Sequence, residues 1–201
     1  MVKISKMSKI LQDISENGGT IRTRELSAPR GYYRINKELN SGSIIRIKNG
    51  VYILPEEQTT MMMDIDRIVP GGVICLYSAW NYYNLTTQIP NGFYIAIEKH
   101  RKVVVPKITG IILCYWEEKY CSMGVEEVEI ANHRVKIFCI EKCVCDAIKF
   151  RNKIGTDVAV EILSNYLARR NRNISRLVDL AKEMRVMSIL GPYLEMGLYR
   201  L

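Results

Sequence analysis

The chain has 201 residues, 48% hydrophobic and 8% aromatic, which is enough for genuine cores and excludes a disordered chain. It carries 29 Lys and Arg against 21 Asp and Glu, a formal net charge of +8. No apolar run approaches the ~18 residues of a membrane span, and MVKISKMSKILQDISENGG is too polar for a secretory signal, so a cytoplasmic setting is expected.

Ile4, Met7, Leu11 and Ile14 fall at helical spacing and predict a first helix over about Ser5–Asn17, stopped by Gly18-Gly19. Thr23 caps a second, short helix through Ala28, and Pro29 ends it. A third helix runs from about Gly31 to Ser41, with Ile35 and Leu39 as its buried stripe. Tyr33, Arg34, Lys37 and Ser41 project from its opposite side. Gly42 closes it, and a hairpin follows, with Ile45, Ile47, Val51 and Ile53 alternating along its arms. Its turn is Lys48-Asn49-Gly50, where Asn-Gly supplies the positive φ of a tight hairpin. A short basic helix leading into a small hairpin is the recognition-helix-and-wing arrangement of a winged helix-turn-helix. Residues 1–54 hold ten Lys and Arg against four Asp and Glu, +6, while the remainder holds 19 against 17, +2. The excess charge is therefore localised, as in the electrostatic footprint of a nucleic-acid binder.

Residues 55–63, PEEQTTMMM, read as a linker, and 64–201 as a second domain. After Pro70-Gly71-Gly72 comes a helical VICLYSAWNYYNL. FYIAIEK, ITGIILCYW, GVEEVEI and HRVKIFCI are dense in β-branched and aromatic residues and predict four strands. VCDAIKFRNKI, DVAVEILSNYLARR, SRLVDLAKEM and ILGPYLEMGL carry helical apolar spacing. The fold class is thus α/β in the α+β sense: a small mixed or antiparallel sheet packed with helices, behind a winged module.

On the third helix, Arg34 and Lys37 can reach base edges or phosphates, Arg being best suited to guanine. Tyr33 can stack on sugar or touch a thymine methyl, and Ser41 lies on the same side. Arg46, Lys48 and Tyr52 on the wing are candidates for backbone or minor-groove contact, and Arg22, Arg24 and Arg30 for phosphate contact. A solvated basic face on a protein-interaction module is the alternative. Lys99, His100, Arg101 and Lys102 form a second basic stretch, which reads as an exposed loop or a contact for phosphate or an acidic partner. Arg169, Arg170, Arg172 and Arg176 form a third, where positive charge also complements a helix C-terminus.

Enzyme signals are weak. The chain lacks a phosphate-binding G-x-x-x-x-G-K-[ST] loop, G-x-G-x-x-G and G-x-S-x-G. Glu141, Asp146 and Lys149 resemble a nuclease-type cluster, but the same order of charges is what an ordinary helix prefers. Ser78 and His133 want a third partner. Tyr77, Trp80, Tyr82 and Tyr83 read as core and domain interface. The six cysteines form no C-x-x-C pair; they are expected as buried, reduced thiols, Cys143-Val144-Cys145 included. No metal or cofactor is expected.

Several of these stretches together resemble a known family. LYSAWNYYNLTTQIP, FYIAIEKHR, IEKCVCDAIKFRNKIG, YLARRNRNISRLVDLAKEMRV and LGPYLEMG, after the NSGSIIRIKNGVYILP ending of the first segment, occur in the order of the AbiEi family. This family comprises antitoxins and transcriptional regulators of bacterial type IV toxin–antitoxin systems. The resemblance covers nearly the whole chain and is most specific in IEKCVCDAIKFRNKIG. It implies a repressor that binds inverted repeats in its own promoter, with self-association on the DNA. The companion toxin would be nucleotidyltransferase-like, countered without a necessarily stable complex. A winged-helix-targeted nuclease is the alternative from another class.

Overall fold

The computed structural model describes residues 8–26, 31–58, 65–105, 110–130 and 133–198. The chain is a mixed α and β protein and divides into two compact units. The first comprises 1–72, 102–111 and 129–135; the second comprises 73–101, 112–128 and 136–201.

The first unit opens with helix α1 (Lys9–Glu16), whose first turn is capped by Ser8 Oγ accepting from the Leu11 N–H at 3.4 Å. Ile14 of the expected stripe faces inward together with Ile10, which was not part of it; Leu11 is partly buried, and Ile4 and Met7 lie outside the described residues. The positive φ of Gly18 ends the helix; a Cβ there would strike the His133 ring at 2.3 Å. Strand β1 (Thr20–Arg22) follows, then a 3-10 turn at Thr23–Glu25 where a short helix was expected. Ala28, Pro29 and Arg30 lie outside the described residues. Helix α2 (Gly31–Asn40) leads into β2 (Ile45–Lys48) and β3 (Val51–Ile53).

These strands form an antiparallel sheet in the order β1-β3-β2. The hairpin is thus two strands of a three-stranded sheet. Tyr52 pairs with Ile21 on one side and Arg46 on the other. Val51, Tyr52 and Ile53 of β3 are all buried, so both faces of this strand are covered and the expected alternation is lost there. A bulge between Arg46 and Lys48 interrupts the register beside the turn. Gly50, at φ +73°, supplies the left-handed residue of that turn. Ile10, Ile14, Ile21, Ile35, Ile44 and Tyr52 form one core, with Leu39 packed against it. A 3-10 turn at Pro55–Gln58 and a short helix α3 (Ile65–Ile68) complete the unit, and residues 59–64 of the expected linker and second-domain start lie outside the described residues.

In the second unit, β4 (Val73–Ile74) and α4 (Leu76–Tyr82) replace a single expected helix. Strands β5 (Phe93–Glu98), β6 (Ile111–Trp116), β7 (Val125–Ile130) and β8 (His133–Phe138) fall where β-branched residues are dense, with residue 111 of β6, 129–130 of β7 and 133–135 of β8 counted in the first unit. A short helix α5 (Glu118–Ser122) joins β6 to β7. The sheet order is β6-β5-β4-β8-β7, with β4 antiparallel to β5 and parallel to β8, hence mixed. Helices α6 (Ile140–Ile154), α7 (Thr156–Leu167), α8 (Ile174–Glu183) and α9 (Met187–Leu198) follow. The central helix is α6, which begins four residues before the expected Val144 and buries Glu141 through Ile148. It packs against α4, α7, α8 and α9. Gly155, at φ +98°, separates α6 from α7. Among the described residues, no helix is long and apolar enough to cross a membrane.

Candidate nucleic-acid interface

The α2 face is built by helical periodicity. Ile35 is 1% exposed and locked into the core, which turns the residues before and after it outward. Tyr33 is 74% exposed, and Arg34, Lys37 and Ser41 are exposed too. Asn36 and Asn40, not singled out from sequence, lie exposed beside them. Asn side chains are chemically suited to the N6/N7 edge of adenine as Arg is to guanine. Ser41 Oγ is 2.9 Å from Ser43 Oγ and donates to the Glu38 carbonyl, closing the end of α2.

The wing candidates divide. Arg46 is exposed, and its guanidinium donates to Asn49 Oδ1 across the turn. Lys48 is half-buried and donates to the Ile68 carbonyl. Burial, and then the neighbouring Arg22 charge, lower its pKa, with Asp66 opposing. Tyr52 must be removed from the contact surface: at 4% exposure it is a core residue of the middle strand. It was expected to point outward with Arg46 and Lys48, but it packs with Ile10 and Ile14 of α1 and Ile35 of α2. Arg24 is exposed. Arg22 donates to the Asp66 carbonyl at 3.1 Å, with its own N–H held by Glu25 at 2.9 Å. Arg67, which sequence reading passed over, donates to the Thr20 carbonyl and pairs with Glu25 at 3.3 Å. His133 Nε2 lies 3.1 Å from the Gly18 carbonyl.

The other basic stretches are placed differently. Lys99, His100 and Lys102 are exposed and Arg101 is half-buried. Arg169 donates to the Tyr83 carbonyl at 2.8 Å, and Arg172 to the Arg169 carbonyl at 3.0 Å. Arg176 pairs with Glu126 at 2.9 Å, while Arg170 is exposed. Three of these four arginines thus already serve structure in the second unit.

The carboxylates weighed for catalysis are deep in α6. Lys142 Nζ, fully buried, donates to both oxygens of Asp146 at 2.8 Å. The same ammonium lies 4.5 Å from the Trp116 ring centre and 4.4 Å from that of Phe138. Burial pushes the Asp146 carboxyl up, against the pull of Lys142. Glu141 Oε1 accepts from Tyr166 at 3.2 Å, and Oε2 lies 3.8 Å from Arg176 Nε. Lys149 is turned to the Tyr120 ring, 3.6 Å from its centre. Sequence reading weighed Asp146 with Lys149; the buried partner is Lys142, at the i, i+4 spacing that could have revealed it.

Ser78 accepts from the Tyr94 N–H at 2.9 Å and donates to the Gly92 carbonyl, a structural bridge. Trp80 is fully buried and donates to the Cys143 carbonyl, with Tyr77 edge-on at 4.9 Å, whereas Tyr82 is 41% exposed. All six cysteines are free; Cys75, Cys139, Cys143 and Cys145 are buried, and Cys114 and Cys121 half-buried. Burial raises the Cys139 thiol to about 11 and Cys145 to about 12, so neither is a thiolate near neutral pH. Among the described residues, no group of three or more His, Cys, Asp or Glu side chains could hold a metal ion. No protein-family model and no curated protein matches this chain.

Proposed function

We propose that this chain is a cytoplasmic, non-enzymatic DNA-binding autorepressor and antitoxin of the AbiEi kind, with its first unit acting as a winged helix-turn-helix. The observation that carries the reading is the exposed α2 face, where Tyr33, Arg34, Lys37 and Ser41 stand opposite the buried Ile35. The helix runs straight into a hairpin that exposes Arg46, and the first 54 residues hold +6 of the +8 net charge. Resemblance to the AbiEi family across nearly the whole chain supplies the biological setting. The partners are then promoter DNA with inverted repeats and a nucleotidyltransferase-like toxin. Phosphate contacts set the register and α2 reads bases; promoter occlusion follows. The second unit carries the antitoxic activity through contacts, and the engagement of Asp146 by Lys142 favours this over a nuclease.

The test is binding of the full chain to duplex DNA from upstream of its own gene across a salt series. Neutralising about four phosphates gives a slope of log K against log salt near −3.6. A slope near zero, or no binding to any upstream fragment at low salt, rejects the reading.

A further inference from the structure

The second unit contains a cleft of about 440 Å³ that the proposed DNA face does not use. One wall is α6, which brings Asp146, Lys149, Phe150 and Lys153 to it at helical steps of three and four. The facing wall is aromatic, from Trp116 at the end of β6 and Tyr120 on α5. Trp116 is held in place, stacked on Phe138 at 5.2 Å and on Phe150 at 6.0 Å. Lys149 covers the Tyr120 ring, and Lys153 is exposed at the same cleft. Of the two acids lining it, Asp146 is neutralised by Lys142, which leaves Glu117 against two lysines. Leu76, also on the lining, adopts φ +45°, a left-handed conformation that a leucine holds only when its surroundings impose it.

Ligand pockets typically span roughly 300–1,000 Å³ and are mainly apolar, with a few charged groups that orient the occupant. Here the apolar groups are the rings of Trp116, Tyr120 and Phe150 together with Leu76 and Ile154, and the cations are two lysines one helical turn apart, facing one free carboxylate, Glu117. Inorganic phosphate would not need the aromatic wall, and a neutral aromatic would bring the lysines, which lie over Tyr120 and Phe150, no second anion. A ligand with a flat ring and a phosphate meets both requirements.

We propose that this cleft binds a nucleoside phosphate, with the base against the Tyr120–Trp116 wall and the phosphate on Lys149 and Lys153. The occupant is either a free nucleotide or the terminal nucleotide of a single strand. The site is independent of the α2 face, so its failure leaves the DNA reading untouched.

Calorimetric titration of the full chain tests this with the four nucleoside monophosphates, adenosine, inorganic phosphate and a 5′-phosphorylated single-stranded oligonucleotide. At least one monophosphate, or the oligonucleotide, should bind about tenfold or more tightly than adenosine or phosphate alone. The Lys149→Gln/Lys153→Gln variant should weaken that binding by about tenfold or more and leave duplex-DNA affinity unchanged. Oligonucleotide binding tighter than any monophosphate assigns the strand end; equal or weaker binding assigns the free nucleotide. The proposal is overturned if no nucleotide or oligonucleotide saturates by about 1 mM. It also fails if phosphate matches the best nucleotide, if the variant binds normally, or if the variant loses duplex DNA as well.

Discussion

The two units each hold engaged and free cations, since Arg22, Lys48 and Arg67 of the first are turned onto carbonyls and Arg170 and Lys153 of the second are exposed, but each unit shows one use at its clearest. In the first, Arg34 and Lys37 stand exposed on a short helix held in the core by its apolar stripe of Ile35 and Leu39. In the second, Lys142 is fully buried against Asp146, while Arg169, Arg172 and Arg176 are turned onto carbonyls or a glutamate. A cation with its donors consumed inside the fold is no longer available to an outside anion, and removing its partner is costly; a cation left in water remains available. The number of Lys and Arg in a segment does not separate these roles; the destination of each donor does.

The sharpest way to break this comparison is at the buried pair. Asp146→Asn or Lys142→Met should cost about 3–5 kcal/mol in urea unfolding, because each strands the other group in the core. Lys142→Met with Asp146→Leu should recover most of that loss, and additive losses in the double variant would show that the pair is not one unit. On α2, Ile35→Ala should cost about 2–5 kcal/mol of stability. Its neighbour Arg34→Ala should change stability by no more than about 0.5 kcal/mol. The same Arg34→Ala should weaken specific DNA binding by roughly 1–3 kcal/mol, measured by competition against random duplex. Equal stability losses at 34 and 35 would refute the division of that helix into faces. Tyr52→Phe should leave DNA affinity unchanged in the same assay, since Tyr52 belongs to the core.

The smallest effect concerns a carboxylate at the surface of the second unit. Burial works to raise the Glu161 carboxyl, but hydrogen bonds from the Thr87 N–H and the Thr86 and Thr87 hydroxyls outweigh it and lower its pKa. A depressed native pKa gives stabilisation that is present above the unfolded value, about 4.3, and is lost as pH falls through the native one. Glu161→Gln should flatten that acid limb of Tm against pH, and an unchanged limb would remove Glu161 as its source.

The periodic elements were legible from sequence because local pattern builds them. Leu11 with Ile14, and Ile35 with Leu39, announce α1 and α2, while the dense β-branched runs announce β5 to β8. The outward face of α2 follows from the same arithmetic once Ile35 is inside. What the sequence could not reveal depends on distant partners. Strand β4 is two residues long, yet it lies at the centre of its sheet because β5 and β8 flank it. Strand β1 exists because β3 offers it a ladder, and Tyr52 is buried because Ile10 and Ile14 of α1 and Ile35 of α2, distant in sequence, pack with it in one core. The first turn of α6 follows Cys139, whose side chain makes no cap bond, so no local start signal marked it. Lys142 carries the same charge as Lys37, but only packing decides that one is enclosed with a carboxylate and the other faces water. Periodicity is a property of neighbours along the chain; burial of a strand or a charge is a property of neighbours in space.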